Sequence, residues 1–203
     1  YPLTYKKGIT LHEVKDTVGT SSKLEFIIPH EGVVGNTIAS TALKEQYRLL
    51  ISAISKRLAA RGIRCDISDA WYLATQNHFS FSVEGKGKQE LKEKMTQVLG
   101  AFADITKKGF GKEELADYVT EKVNSMKADT VGFQSGKWCD DFVDYIISGD
   151  RYVAWDEDME KVKLLISNTS SSQLQKLFKT ILNEGKQSLL VAYQNNAGKT
   201  ESF

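Results

Sequence analysis

The strand signals of this chain are split. Several lie before Gly85, and one near-continuous apolar run, Ser188-Leu189-Leu190-Val191-Ala192-Tyr193, returns close to the end. A run of that kind suits the inside of a sheet, so Gln187 to Tyr193 is expected to rejoin the sheet built by the early strands. Nearly everything in between has helical spacing. The fold class that follows is α+β: a mainly antiparallel sheet covered on one side by a group of helices.

The early strands read as Gly8 to Val14, Lys23 to Ile28 stopped by Pro29 and followed by a loop with Gly32 and Gly35, Ile63 to Leu73, and Asn77 to Val83. In the last of these, Phe79, Phe81 and Val83 alternate with polar residues, which predicts one buried face. From Leu43 the spacing is helical, with Leu43, Tyr47, Leu50, Ile51, Ile54 and Leu58 on one face and Gly62 as the C-cap. A second helix carries Leu91, Met95, Val98, Leu99, Phe102 and Ile105 up to Gly109. A third, from Lys112, turns Leu115, Val119, Val123 and Met126 inward. Another near Trp138 is expected to bury Phe142, Tyr145 and Ile146. Asp156 then caps a helix with Met159, Val162 and Leu165, and Ser170 with Gln173 forms a capping box before Leu174, Leu177, Phe178 and Ile181.

The 203 residues are 41% hydrophobic, and the two prolines leave no candidate linker, so residues 1–203 read as a single domain. Lys and Arg number 27 against 26 Asp and Glu, which gives a net charge of +1. The field that attracts nucleic acid is missing. Apolar runs such as Tyr145-Ile146-Ile147 fall far short of the ~20 residues of a membrane span. The chain begins at Tyr1 without a charged and apolar leader, as expected of a processed chain or a piece of a longer one.

Candidate chemistry is sparse. His12-Glu13 and His30-Glu31 resemble the start of H-E-x-x-H, but position i+4 is Asp16 in the first and Val34 in the second. Neither is a zinc motif, and no catalytic or metal-ligating residue is expected in this chain. Gly132-Phe133-Gln134-Ser135-Gly136 has its serine in the fourth place and joins two helices, unlike a nucleophile elbow. Gly85-Lys86-Gly87-Lys88 lacks the length of a P-loop and reads as a strand-to-helix turn. Cys65 and Cys139 lie too far apart for a redox pair and read as small buried hydrophobes. Asp140, Asp141 and Asp144 read as a solvated helix face. Trp71, Tyr72, Phe79 and Phe81 surround two neighbouring strands, as sheet core or as a peptide platform.

Three segments extend the reading. Lys107-Lys108-Gly109-Phe110-Gly111-Lys112-Glu113-Glu114-Leu115 is similar to the helix-Gly-Phe-x-x-x-Glu-Leu-helix joint of the pitrilysin/insulinase family of zinc metallopeptidases. Leu49 to Arg61 ahead of Ile63 resembles the family's long helix before a strand pair. Tyr145 to Asp150, the Asp156 helix and Ser170 to Asn183 resemble its closing helices. Active halves of that family carry H-x-x-E-H on the first long helix, a motif this sequence lacks. Tyr47-Arg48-Leu49-Leu50-Ile51 stands in its place.

The resemblance thus implies a non-catalytic half-domain that forms the chamber wall opposite a zinc-bearing half and contributes to peptide binding. It implies a catalytic half-domain, in the same polypeptide or a partner subunit, that would hold the zinc, and a peptide substrate. Arg61 is the candidate for the family's backbone-holding Arg, while the matching Tyr place falls near Cys65. Trp71 and Tyr72 would supply apolar wall. The alternative is a catalytically inactive interaction or assembly subunit of the same fold. Exported bacterial relatives make the periplasm or cell envelope the expected compartment.

Overall fold

A computed structural model describes residues 8–16, 21–35, 37–73, 75–128, 157–184 and 189–195, together with positions 139, 142, 143, 146 and 147. Five strands form one sheet: β1 (Thr10–Asp16), β2 (Ser22–Glu31), β3 (Asp66–Leu73), β4 (Gln76–Gly85) and β5 (Leu189–Asn195). Their order across the sheet is β1-β5-β2-β4-β3. The returning strand β5 lies inside the sheet, parallel to β1 and antiparallel to β2, and all remaining pairings are antiparallel. The α+β expectation holds.

Pro29 does not end its strand. β2 continues to Glu31 along β4, with Pro29 opposite His78. Along the described part of β5, β2 pairs from Lys23 to Ile27.

The longer helices are α1 (Ile38–Ala60), α2 (Lys88–Lys108), α3 (Lys112–Ala128), α4 (Glu157–Ser167) and α5 (Ser171–Glu184). α1 begins before Leu43, at an N-cap Thr37 whose hydroxyl accepts from the Ser40 N–H at 3.1 Å while Ser40 Oγ accepts from the Thr37 N–H at 2.9 Å. It ends in a Schellman turn: Gly62, at φ +72°, donates to Ala59 O and Ile63 to Leu58 O, both at 2.9 Å. The turn Gly85 to Lys88 joins β4 to α2 as expected, with the Lys86 N–H bound to Glu90 Oε2 at 2.9 Å. The Ser170/Gln173 capping box is present, through Ser170 N–H to Gln173 Oε1 at 2.7 Å and Gln173 N–H to Ser170 Oγ at 3.3 Å.

Four rings form the centre of the core. Phe79 and Phe81 of β4 meet Phe102 of α2 and Phe178 of α5, with Phe81–Phe102 and Phe102–Phe178 centroids 4.9 and 5.1 Å apart in edge-to-face geometry. Phe26 of β2 stacks on Phe81 at 5.1 Å. The helices cover the sheet face that bears these rings. The other face carries polar pairs, such as the Ser68 and Ser80 hydroxyls 2.8 Å apart. α1 buries Leu49 and Ala53 as well as Leu50, Ile54 and Leu58, because it packs against β3, α3, α4 and α5 together.

Several inward assignments are corrected. Leu99 and Leu165 are exposed; on α4 Val162 is buried as expected, but Ile166 turns inward in place of Leu165, since the neighbours α1 and α3 lie on that side. Phe142 and Ile146 occupy helical positions but are exposed, so the expected apolar face near Trp138 is not buried there. Cys139 is exposed, not a buried hydrophobe. Tyr145, Asp156, Asp140, Asp141, Asp144 and the segment 132–136 lie outside the described residues. Among the described residues no helix is long and apolar enough to cross a membrane.

Candidate functional site

The Gly-Phe joint between α2 and α3 is a meeting place of four helices, with α1 and α5 packed on it. Gly109 caps α2 at φ +70°, and a Cβ there would lie 2.7 Å from Ser171 Oγ. Only glycine suits that backbone and that contact. The Phe110 N–H donates to Ser171 Oγ and the Ser171 hydroxyl donates to Phe110 O, both at 2.8 Å, which ties the joint to the start of α5. Arg57 of α1 reaches in from the other side. Its Nη1 donates to Gly109 O at 2.9 Å, its Nε to Glu114 Oε1 at 2.8 Å and its Nη2 to Glu114 Oε2, and its guanidinium lies over the Phe110 ring. Glu114 also accepts from the Gly111 N–H at 3.0 Å, the half of a capping box that an N3 glutamate supplies. The Arg57 guanidinium, and after it the Gly111 N–H, hold its carboxyl below the usual carboxylate range. Tyr118 donates to Glu114 Oε1 at 3.1 Å, and burial together with that carboxylate pushes its phenol up to about 12. These residues are fastened to one another, and their arrangement is that of a structural lock.

Arg61 stands beside this lock at the end of α1. It pairs with Asp104 of α2 at 3.1 Å, and its side chain is 43% exposed. Arg61, with the bonds of Lys108 after it, lowers the Asp104 carboxyl. Arg61 lines an open cavity of about 480 Å³ with Arg57, Asp104, Lys108 and Glu114.

Trp71 and Tyr72 are elsewhere, at the far end of the edge strand β3, 61% and 53% exposed. The fold therefore splits the three expected substrate-binding residues between two ends of β3. Trp71 is in register with Asn77, and the Tyr72 ring stacks on His78 at 3.9 Å. Phe79 and Phe81, by contrast, are core. Beneath this end of the sheet lies a polar cluster that the sequence did not reveal: His30 of β2, Asp69 of β3 and Asn77 of β4. His30 Nε2 is 2.8 Å from Asp69 Oδ1, and Asn77 Nδ2 donates to Asp69 Oδ2 at 3.4 Å. The Tyr47 ring stacks on His30 at 5.7 Å.

Among the described residues no group of three or more His, Cys, Asp and Glu could hold a metal ion. Both nitrogens of His30 are engaged, at Asp69 and at the Glu31 carbonyl 3.0 Å away, so it is not placed to take a proton from a substrate. Cys65 is no nucleophile either: burial, opposed by a hydrogen bond from the Ser82 backbone, pushes its thiol up to about 11. In a Cys139→Ser variant at about pH 8, Cys65 should react with DTNB about a hundredfold more slowly in the native chain than in urea, from the ratio of thiolate fractions. Equal native and unfolded rates would contradict that environment.

Neither a family model nor a curated protein sequence matches the chain. Its fold does match solved structures. The first half of the periplasmic protease PqqL from Escherichia coli superposes with a TM-score of 0.83 at 13% identity, over 96% of this chain and 44% of that one. A predicted insulinase family protease from Yersinia pestis gives 0.75 at 12%, over 94% and 43%. A peptidase M16 inactive domain from Pseudomonas fluorescens gives 0.64 at 12%, over 98% and 46%. The chain spans less than half the length of each of these structures. Its sheet, helix order and coverage identify its fold as that of a half-domain of the M16, or insulinase-type, peptidases.

Proposed function

We propose that this chain is one non-catalytic half-domain of a zinc-dependent metalloendopeptidase, and that it forms the chamber wall opposite a zinc-bearing half and helps to bind the peptide. The observation that carries the reading is the state of α1 within this fold. Across Tyr47-Arg48-Leu49-Leu50-Ile51, where active halves of the resembled family hold their metal motif, this chain has no His, Cys, Asp or Glu, and Leu49 and Leu50 are fully buried among core residues. Such side chains offer no donor to a metal, so the described residues do not fit zinc, and zinc is assigned to the partner half. Residues 1–203 then act as a single half-domain, with the periplasm as compartment, in keeping with the periplasmic protease it resembles in fold.

Arg61 would hold a peptide carbonyl or carboxylate with its planar fork, and Trp71 and Tyr72 would give apolar wall at the other end of β3. In the intact peptidase, Arg61→Ala is expected to raise KM about tenfold, the loss of one charge-assisted hydrogen bond, with kcat nearly unchanged. Lys176→Ala, an exposed cation on α5, should match wild type. The melting temperature should hold, because truncating an exposed Arg costs at most ~0.5 kcal/mol. Wild-type kinetics for Arg61→Ala would remove it from the site, and a large fall in Tm would make it a packing residue. An H-x-x-E-H segment in the same reading frame or the adjacent gene is also expected. Its absence from both would favour the assembly-subunit alternative.

A further inference from the structure

Both ring nitrogens of His30 face oxygens that only accept: Asp69 Oδ1 at 2.8 Å from Nε2 and the Glu31 carbonyl at 3.0 Å from Nδ1. A neutral imidazole carries one N–H, so with an ionised Asp69 either tautomer leaves one of these contacts as two facing acceptors. The His30 side chain is 1% exposed and that of Asp69 6%, so bulk water does not relieve the mismatch. A second ring proton satisfies both contacts at once. We propose that His30 is a buried imidazolium whose ion pair with Asp69 clamps the end of β3 to β2 across β4 and makes this corner of the sheet pH-sensitive.

The surroundings are built to hold such a pair. Asn77 of β4 donates to the second Asp69 oxygen, and Gly32 presses on Asn77, since a Cβ at position 32 would lie 2.7 Å from Asn77 Oδ1. The Gly32 N–H donates to Thr75 O at 2.7 Å and closes the corner. The titratable groups on the elements around the ring are Asp69 on β3, His78 on β4, Tyr47 and Lys44 on α1, and Glu31 on β2 itself. His78 bears on the proposal: burial lowers its pKa first, and a repulsion from His30 lowers it further, as a charged neighbour would. The clamp holds the strand end that carries Trp71 and Tyr72, but the proposal does not rest on the peptidase reading.

The sign of the pH effect follows from the two states. In the unfolded chain His30 titrates near the ordinary value of about 6.5, and in the folded chain above it. The stabilisation is therefore complete below about pH 6.5 and is lost as the pH rises through the folded value. His78, lowered on folding, has the opposite sign and weakens the fold as the pH falls below its ordinary value.

The test is ring ¹⁵N NMR of the chain labelled at histidine, with His30→Gln used to assign the signals and His78→Gln to isolate the second site. Both His30 nitrogens should show protonated shifts at about pH 7.5, above the ordinary histidine range. An unprotonated Nε2 or Nδ1 at that pH would overturn the proposal, including the case in which Asp69 holds the proton. In urea, the unfolding midpoint of His78→Gln should fall as the pH rises from about 6.5 to 8, below the range where the Cys65 thiol ionises on unfolding, and the double variant with His30→Gln should lose that fall. An unchanged slope in the double variant would also overturn it. Should His30→Gln fail to fold, Asp69→Asn replaces it in both roles, and the wild-type spectrum remains decisive.

Discussion

Phe178→Ala is expected to lower the unfolding free energy by about 3–5 kcal/mol, the range for truncating a fully buried aromatic side chain. Phe178 has no exposed surface and touches rings from both layers, Phe102 on α2 at 5.1 Å and Phe79 on β4 at 6.0 Å. Removing it loses the apolar transfer term and leaves a cavity that these stiff rings cannot fill. It also loses two edge-to-face contacts, each worth about 0.5–1.5 kcal/mol beyond area. Urea denaturation reads the change directly. A loss under about 1 kcal/mol would mean that the four-ring cluster is not the centre of the core.

Arg57→Ala is the second large effect, expected at about 2–4 kcal/mol. The arginine side chain is only 11% exposed, and its loss takes a partner from three groups: the Glu114 carboxylate, which keeps the Gly111 N–H and the Tyr118 hydroxyl, the Gly109 carbonyl and the face of Phe110. The lower bound allows for Glu114, which at 26% exposure regains some water. Arg57→Lys should recover less than half of the loss, because an ammonium cannot serve Glu114 through two nitrogens while also reaching the carbonyl. Full recovery by lysine would show that charge alone, and not the planar fork, holds the joint.

The joint also marks where the sequence was legible. Gly109 and Glu114 act as the local pattern indicates, as a cap and an N-terminal acid, because caps depend on neighbours within a few residues. Arg57 gave no such signal. On α1 it reads as one more solvated cation, and its role exists only because α1 and the joint, more than fifty positions apart, are packed together. The His30–Asp69 pair was hidden for a similar reason. It depends on the registers of β2 with β4 and of β4 with β3, and a slip of one residue in either would part the two groups.

The same distinction explains the corrections. Helical spacing on α4 fits Leu165 about as well as Ile166, and only the positions of α1 and α3 choose between them. An isolated strand makes Pro29 look like a stop, because only the register of the sheet carries β2 past it along β4 to Glu31. Closeness in sequence groups Trp71 and Tyr72 with Arg61. An extended strand of eight residues, Asp66–Leu73, sets them apart at about 3.3 Å per residue.

The central claim is that this chain completes a peptidase without containing its reactive centre, and one assay tests it most directly. A quenched fluorescent peptide is offered, with zinc, to this chain alone, to the catalytic half alone and to the two together, each with and without a chelator. The account predicts no turnover by this chain, little by the other half, and chelator-sensitive cleavage when both are present. Chelator-sensitive cleavage by this chain alone, or full cleavage by the catalytic half without it, would contradict the account.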